Sequence, residues 1–185
     1  SGEVITSTAT GGAWGDDTTW VGGSKPDSLD DSVVIATTDG NSVFLNGAKT
    51  VKGSLTINSG AELDTGNYAL TLEGDFVNHV DNGLFFAGDS NITIAGTALT
   101  QNIAGFTTAG NVSMTKTAGV ATFTGNVSAA GLTLTGSGGT LHLGTGKTHT
   151  FSGAWTRTNG TLDGGSSTLN LYGTVTGSTG TFTPG

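Results

Sequence analysis

The chain has 185 residues, of which 33 are Gly and 35 are Thr, whereas Glu, Lys, Arg and Gln together number only 10. Gly and Thr are poor helix formers, so this composition excludes a mainly helical protein and predicts an all-β fold. The net charge of −8 and the pI of about 4.4 exclude a nucleic-acid-binding surface, which needs clustered Lys and Arg.

The chain contains no Cys, which excludes disulfides, thiolate metal sites and a cysteine nucleophile. No apolar run approaches the roughly 18 residues that a membrane-spanning helix needs, so we expect no membrane insertion. Charged residues make up 11% of the chain, far below the usual share of about a quarter. Such a composition is typical of Thr/Gly-rich wall or matrix proteins and predicts an extracellular or cell-surface location.

Residues 1–31 lack an alternating apolar pattern and are predicted to form an N-terminal cap. The segment holds five Asp residues, and carboxylate oxygens suit a hard cation, so calcium is the one cofactor candidate. The candidate ligands are Asp16, Asp17, Asp27, Asp30 and Asp31. Asp is also preferred in turns without any metal, and the nonapeptide motif that binds calcium in β-rolls is absent, so both interpretations stay open.

From residue 32 to residue 185 the chain repeats short apolar–polar–apolar triplets separated by Gly or Asn. The clearest triplets are Leu55–Ile57, Leu70–Leu72, Ile92–Ile94, Leu132–Leu134, Leu141–Leu143 and Leu169–Leu171. Alternation with a period of two buries the aliphatic residues on one face of a strand and exposes the middle residue on the other. The spacing between triplets fits coils of about 20 residues that contain two or three strands each.

Two β architectures fit this pattern: a right-handed parallel β-solenoid with an N-terminal cap, and a β-sandwich. Sandwich strands usually have five to eight residues and hairpin turns, whereas the strands here are predicted to have three to five. We therefore favour the solenoid and keep the sandwich as the alternative.

Several stretches carry a family resemblance. Residues 12–20 and 31–35 resemble the opening of Gly-rich β-helix modules, including G8-type domains, of large bacterial cell-surface and secreted proteins. Residues 91–105 and 180–185 resemble the repeat units of long adhesin-like proteins. The resemblance implies a β-helix and roles in adhesion, surface coating or glycan contact, and it provides no catalytic residue set.

The sequence contains none of the common catalytic motifs, so we expect no enzymatic activity. The alternative is a carbohydrate-binding module or a polysaccharide-active β-helix. Trp155, Lys147 and Arg157 are the candidate glycan contacts. Lys147 and His149 would share a face of an extended segment, with Asp163 as the only acid after residue 90, although all of these are expected to be solvated wall residues.

Ice binding is less favoured. Seven Thr-x-Thr pairs occur after residue 110, but their spacing is irregular, whereas an ice-binding face needs one pair per coil in strict register. Ordinary outward-facing Thr on short strands explains the same pairs.

Charge is divided unevenly along the chain. Residues 1–90 carry a net charge of −10 and residues 91–185 a net charge of +2. The repeat also runs to residue 185 without a charged closing segment, so the repeats are expected to continue or to dock onto a neighbour there. The sequence thus predicts a non-enzymatic structural or adhesive solenoid of a bacterial surface fibre, layer or large adhesin, whose partners are itself, neighbouring modules or glycans.

Overall fold

The structure, a computed structural model, describes residues 2–27, 30–79, 84–177 and, for their backbone, 181–183. These residues form 24 short β-strands and one 3-10 helix, Asp17–Thr19. The strands are β1 Val4–Thr6, β2 Gly12–Ala13, β3 Ser32–Ile35, β4 Ser42–Phe44, β5 Lys49–Val51, β6 Leu55–Ile57, β7 Glu62–Asp64, β8 Leu70–Leu72, β9 Phe76–Asn78, β10 Leu84–Phe86, β11 Ile92–Ile94, β12 Thr100–Ile103, β13 Phe106–Thr107, β14 Val112–Met114, β15 Val120–Phe123, β16 Val127–Ala129, β17 Leu132–Leu134, β18 Thr140–His142, β19 Thr148–Phe151, β20 Trp155–Arg157, β21 Thr161–Asp163, β22 Thr168–Leu171, β23 Val175–Gly177 and β24 Thr181–Thr183.

The strands stack as a β-solenoid with three faces. One face is a nine-stranded sheet, β1-β3-β6-β9-β12-β15-β18-β21-β24, and another is a seven-stranded sheet, β5-β8-β11-β14-β17-β20-β23. The third face consists of two four-stranded sheets, β2-β4-β7-β10 and β13-β16-β19-β22. From β3 to β23 each of seven coils therefore gives one strand to each face.

All ladders between the described strands are parallel, and the one antiparallel contact is an isolated bridge between Ser7 and Trp20. A β-sandwich is built from antiparallel strands. The parallel β-solenoid prediction is therefore confirmed, with three strands in each coil, and the sandwich alternative is wrong.

Aliphatic residues form columns inside the solenoid. In the seven-stranded sheet Leu70, Ile92, Val112 and Leu132 lie in register and are at most 1% exposed. Each such side chain contributes about 1.5–3 kcal/mol by leaving water. The same alternation that predicts short strands thus also builds the core.

Aromatic rings form a second internal row along the corner between the nine-stranded sheet and the third face. The row runs Phe76, Phe85, Phe106, Phe123 and His149, with successive ring centroids 5.1, 6.4, 6.5 and 5.0 Å apart. The rings meet at steep or tilted angles, which suits the quadrupoles of aromatic side chains.

The described part of the N-terminal segment stacks directly on the first coil. Strand β1 pairs with β3, and β2 pairs with β4, so the ladders continue across the boundary at residue 31. Trp14 and Trp20 are both 2% exposed, with ring centroids 5.1 Å apart, and the indole N–H of Trp20 donates to the carbonyl of Trp14. These two rings cover the core at this end of the stack.

The third face is interrupted between β10 and β13, which are not hydrogen-bonded neighbours. The coil at this position is longer than the next one, because more of the chain separates Ile103 from its partner Phe76 than separates Val120 from its partner Thr100. The rings of Phe85 and Phe106 meet edge to face across the gap. We call this gap the third-face break.

Candidate functional site

The outward face of the seven-stranded sheet carries one hydroxyl side chain per strand. The middle residues of its strands pair in continuous register: Thr50, Thr71, Thr93, Ser113, Thr133, Thr156 and Thr176. Neighbouring strands are about 4.8 Å apart, so the hydroxyl groups repeat at that spacing along the stack. We call this column the hydroxyl ladder.

The spacing of Thr-x-Thr pairs in the sequence does not reveal the hydroxyl ladder, because the coils differ in length at their corners. Leu132 pairs with Trp155, and Trp155 pairs with Val175, so the first of these two coils is longer than the second. Irregular spacing in sequence is therefore compatible with strict register in space. The informative signal was the middle residue of triplets such as 70–72, 92–94 and 132–134.

A second hydroxyl column is present in only part of this face. Thr115 and Thr135 each donate their backbone N–H to the preceding coil, so they continue the register two residues beyond the hydroxyl ladder, as does Thr158. The equivalent positions of earlier coils are Lys52, Glu73 and Ala95. Paired columns therefore span three coils.

Lys147, one of the predicted glycan contacts, lines a groove at the corner beside the third-face break. The groove has a volume of about 590 Å³ and is lined by Phe76, Val77, Asn78, Asn102, Ala104, Gly105, Thr124, Gly125, Asn126 and Lys147. The side chain of Asn126 already accepts a hydrogen bond from the N–H of Thr148. The groove thus combines an apolar floor with amide groups and one cation.

The other two predicted glycan contacts, Trp155 and Arg157, lie on β20 of the seven-stranded sheet. They lie outside the lining of the Lys147 groove. Trp155 is only 7% exposed, and the Arg157 guanidinium lies over its ring, 5.8 Å from the centroid. The ring is therefore packed against protein rather than open for stacking on a sugar.

A second groove lies on the other side of the third-face break, next to exposed aromatic residues. It has a volume of about 730 Å³, and its lining includes Asp64, Asn67, Phe86, Thr107 and Thr108. Phe86 is 51% exposed. The sequence does not reveal this site, because the triplet of β10, Leu-Phe-Phe, does not show which of its residues point outward.

Two of the five acidic residues proposed as calcium ligands accept hydrogen bonds from backbone amides. Asp31 accepts hydrogen bonds from the N–H groups of Glu3 and Asp27, and Asp17 accepts one from the N–H of Lys25. Within the described residues no group of three or more acidic or His side chains is arranged to hold a metal ion. Calcium binding stays a prediction, and these contacts add no support to it.

His149 is fully buried, so the expectation that it is a solvated wall residue on the same face as Lys147 is wrong. Strand β19 begins at Thr148, after Lys147, and turns the imidazole into the core. The ring accepts a hydrogen bond from the N–H of Val127 at Nδ1 and contacts the carbonyl of Leu143 through Nε2, at 3.0 and 2.6 Å. This pairing requires the neutral ring with its proton on Nε2.

Burial lowers the pKa of His149, and the nearby charge of Lys147 lowers it further, while the hydrogen bond to Leu143 opposes the shift. The unfolded chain therefore takes up this proton at a higher pH than the folded chain does. We expect the stability that depends on neutral His149 to be complete above about pH 6.5 and to be lost as the pH falls from there through the lowered pKa.

Urea unfolding between pH 7.5 and pH 5 tests this prediction. His149→Gln should flatten the fall in unfolding free energy below pH 6.5, whereas His79→Gln, at an exposed position, should leave it unchanged. Equal pH profiles for the wild type and His149→Gln would contradict it.

A further buried polar pair lies where the seven-stranded sheet turns into the nine-stranded one. Lys116 is 0% exposed, and its Nζ donates to Gln101 Oε1 at 3.0 Å and to the Ala95 carbonyl at 3.5 Å. Gln101 in turn donates to the carbonyls of Leu72 and Gly74. Desolvation lowers the pKa of Lys116, although the Glu73 carboxylate opposes this shift. The pair fills the corner and is not open to a ligand.

Asp163, the fourth candidate for polysaccharide chemistry, lies on the nine-stranded sheet beside His142. Its Oδ2 is 3.7 Å from His142 Nε2, and its Oδ1 accepts the N–H of Gly165. This pair is not part of the lining of either groove. The structure therefore does not assemble Lys147, His149, Arg157 and Asp163 into one site.

Comparison with family models, with curated proteins and with solved structures finds no match to this chain. Among the described residues there is no helix long and apolar enough to cross a membrane. Function must therefore be inferred from the surfaces described above.

Proposed function

We propose that the chain is a non-enzymatic structural and adhesive module of a bacterial surface fibre, layer or large adhesin, displayed outside the cell. The observation that carries the proposal is the hydroxyl ladder, which extends over seven strands without a charged residue. The partner that best suits this face is a second solenoid, either another copy or a neighbouring module of the same surface protein.

The hydroxyl ladder suits such a partner because its period matches that of any other parallel solenoid. Each Thr offers one donor and two acceptor lone pairs, so a facing column with the same spacing can bond at every step. Six of the seven side chains belong to Thr, which is short and β-branched and therefore loses little rotational freedom on contact. A regular polar column thus favours lateral packing of stiff rods.

The charge distribution favours one relative orientation of two packed solenoids. Residues 1–90 have a net charge of −10 and residues 91–185 a net charge of +2. Because the strands of each sheet follow chain order, these two charges lie at opposite ends of the stack of coils. Two solenoids side by side in opposite directions place the acidic half of one beside the weakly basic half of the other. Association should then weaken as salt rises.

The extracellular bacterial setting is supported by the low charge content and by the resemblance of residues 12–20 and 31–35 to surface β-helix modules. Glycan contact at Lys147, Trp155 and Arg157 is the second candidate function. The amide-lined groove at Lys147 favours it, whereas the burial of Trp155 does not.

Light scattering over a concentration series, with negative-stain imaging of the same samples, tests the proposal. We expect the wild-type mass to grow with concentration and the Thr93→Lys/Thr133→Lys variant to stay at the 18.3 kDa of one chain. The lysines place charge in the middle of the hydroxyl ladder, where a facing solenoid would have to desolvate it.

The matched control is Thr56→Lys/Thr122→Lys, which adds the same charge to half-buried Thr residues of the nine-stranded sheet. This variant should assemble like the wild type. A wild type that is monomeric at every concentration, or two variants that lose assembly equally, would exclude the hydroxyl ladder as the assembly surface.

A further inference from the structure

Two exposed phenylalanines enclose a carboxylate on the outward face of the first four-stranded sheet. Phe44, Asp64 and Phe86 pair in register on β4, β7 and β10. Phe44 is 43% exposed and Phe86 is 51% exposed. With strands about 4.8 Å apart, the two rings stand roughly 10 Å apart with the carboxylate between them. We call this row the ring–carboxylate strip.

The groups around the ring–carboxylate strip are also open to a ligand. Asp64 Oδ1 accepts the N–H of Gly66 at 2.8 Å, which leaves Oδ2 without a hydrogen bond in the described part of the chain. Tyr68, which is 44% exposed, lies beside Gly66 at the adjoining corner. The groove of about 730 Å³ lies next to Phe86, at the third-face break. Thr107 and Thr108 line the side of this groove that is opposite Phe86.

We propose that the ring–carboxylate strip and this groove bind a neutral oligosaccharide. A sugar ring has an apolar C–H face and a rim of hydroxyl groups. The faces can stack on Phe44 and Phe86, while hydroxyl groups donate to the free oxygen of Asp64 and exchange hydrogen bonds with the Thr residues of the groove.

The alternation of rings and acids favours a sugar over a protein partner. The centre of a protein interface is depleted of charge, because an unpaired carboxylate there is costly to desolvate. Here Asp64 lies directly between the rings, and Glu62 lies between Ser42 and Leu84 in the parallel column of the same sheet. A polyhydroxylated ligand satisfies both kinds of group.

The charge of this end of the solenoid selects for a neutral ligand. Glu62 and Asp64 belong to the region whose net charge is −10. An acidic polysaccharide or an anionic membrane would be repelled by this field. The inference gives a ligand class to the adhesive role proposed above and rests on it, but it uses a different face from the hydroxyl ladder.

Binding to cellohexaose and chitohexaose, measured by calorimetry, tests the inference, with hyaluronan fragments as the acidic comparison. We expect Phe44→Ala/Phe86→Ala to weaken binding of the neutral ligands by at least tenfold. Asp64→Lys should weaken it as well, and Phe86→Tyr should retain it. Tyr172→Ala, at a residue that is 73% exposed and not part of the groove lining, is the matched control and should bind like the wild type.

Circular dichroism and thermal unfolding are used to test whether each variant is folded, and Asp64→Lys provides a second variant if the double alanine change destabilises the sheet. Wild-type protein that binds neither neutral ligand, binding that survives both Phe44→Ala/Phe86→Ala and Asp64→Lys, or tighter binding of hyaluronan would overturn the inference. So would a double alanine variant that loses only self-association, because the strip would then be a contact between copies.

The two proposals fail separately. Variants of the hydroxyl ladder should lose assembly and keep oligosaccharide binding, whereas variants of the ring–carboxylate strip should do the reverse. Monomeric wild type that still binds sugar through Phe44 and Phe86 would remove the assembly role and keep the glycan site.

Discussion

Replacing Phe123 by alanine is expected to lower the unfolding free energy by about 3–5 kcal/mol. The ring is 1% exposed and lies between Phe106 and His149 in the internal aromatic row, 6.5 and 5.0 Å from their rings. Parallel coils cannot close a cavity of this size, because their backbone ladders fix the distance between the faces. Guanidinium unfolding followed by circular dichroism measures the loss.

Phe44→Ala is the matched control for this prediction. The same atoms are removed, but the Phe44 ring is 43% exposed, so the unfolding free energy should change by no more than about 0.5 kcal/mol. Equal losses at the two positions would contradict the burial assigned to the aromatic row. The result also serves the glycan experiment, since it tests directly whether a variant of the ring–carboxylate strip keeps its fold.

Gln101→Leu is expected to cost about 3–5 kcal/mol, although leucine is similar in size and the position is buried. The amide oxygen of Gln101 is the nearest partner of the Lys116 ammonium, at 3.0 Å, while the Ala95 carbonyl is 3.5 Å away. In the described residues no carboxylate forms an ion pair with Lys116. The substitution therefore leaves a buried cation with one long hydrogen bond.

A second substitution distinguishes the loss of unfolding free energy caused by the unpaired Lys116 charge from the loss caused by a general packing defect. Adding Lys116→Met to Gln101→Leu removes the charge and keeps an unbranched side chain in the corner, so more than half of the loss should be recovered. The carbonyl of Gly74 loses its hydrogen bond from the Gln101 amide in both variants, whereas the carbonyl of Leu72 keeps the hydrogen bond from the N–H of Ala95. If the double variant is as unstable as Gln101→Leu, or less stable, the ammonium does not cause the loss.

Surface function and core packing are linked by the geometry of the coils. The hydroxyl ladder and the ring–carboxylate strip both depend on register between strands of only three residues. That register is held by buried columns such as Leu70, Ile92, Val112 and Leu132 and by the aromatic row. Coil length varies mainly at the corners, where Gly residues permit sharp bends. At Gly119, with a φ of +76°, a Cβ would overlap the carbonyl oxygen of Ala98.

The sequence by itself determined that the protein is built from short strands and that aliphatic residues alternate with polar ones. Triplets such as 55–57, 70–72 and 92–94 are strands in which two buried aliphatic residues flank a half-buried Thr, because alternation with a period of two is a local property of the chain. The predicted triplet 141–143 is displaced by one residue, since β18 covers 140–142. Local pattern was therefore sufficient for fold class.

Only the tertiary structure decided which strands share a face. The triplets 70–72, 92–94 and 132–134 lie on one sheet, while 55–57 lies on another, and corners of unequal length hide this assignment in the sequence. For the same reason His149, expected at the surface, is buried, and so is Lys116: Val127 and Gln101, which lie 22 and 15 residues away in the sequence, satisfy them. Burial of a polar group depends on such distant partners, and only the stacking of coils brings them together.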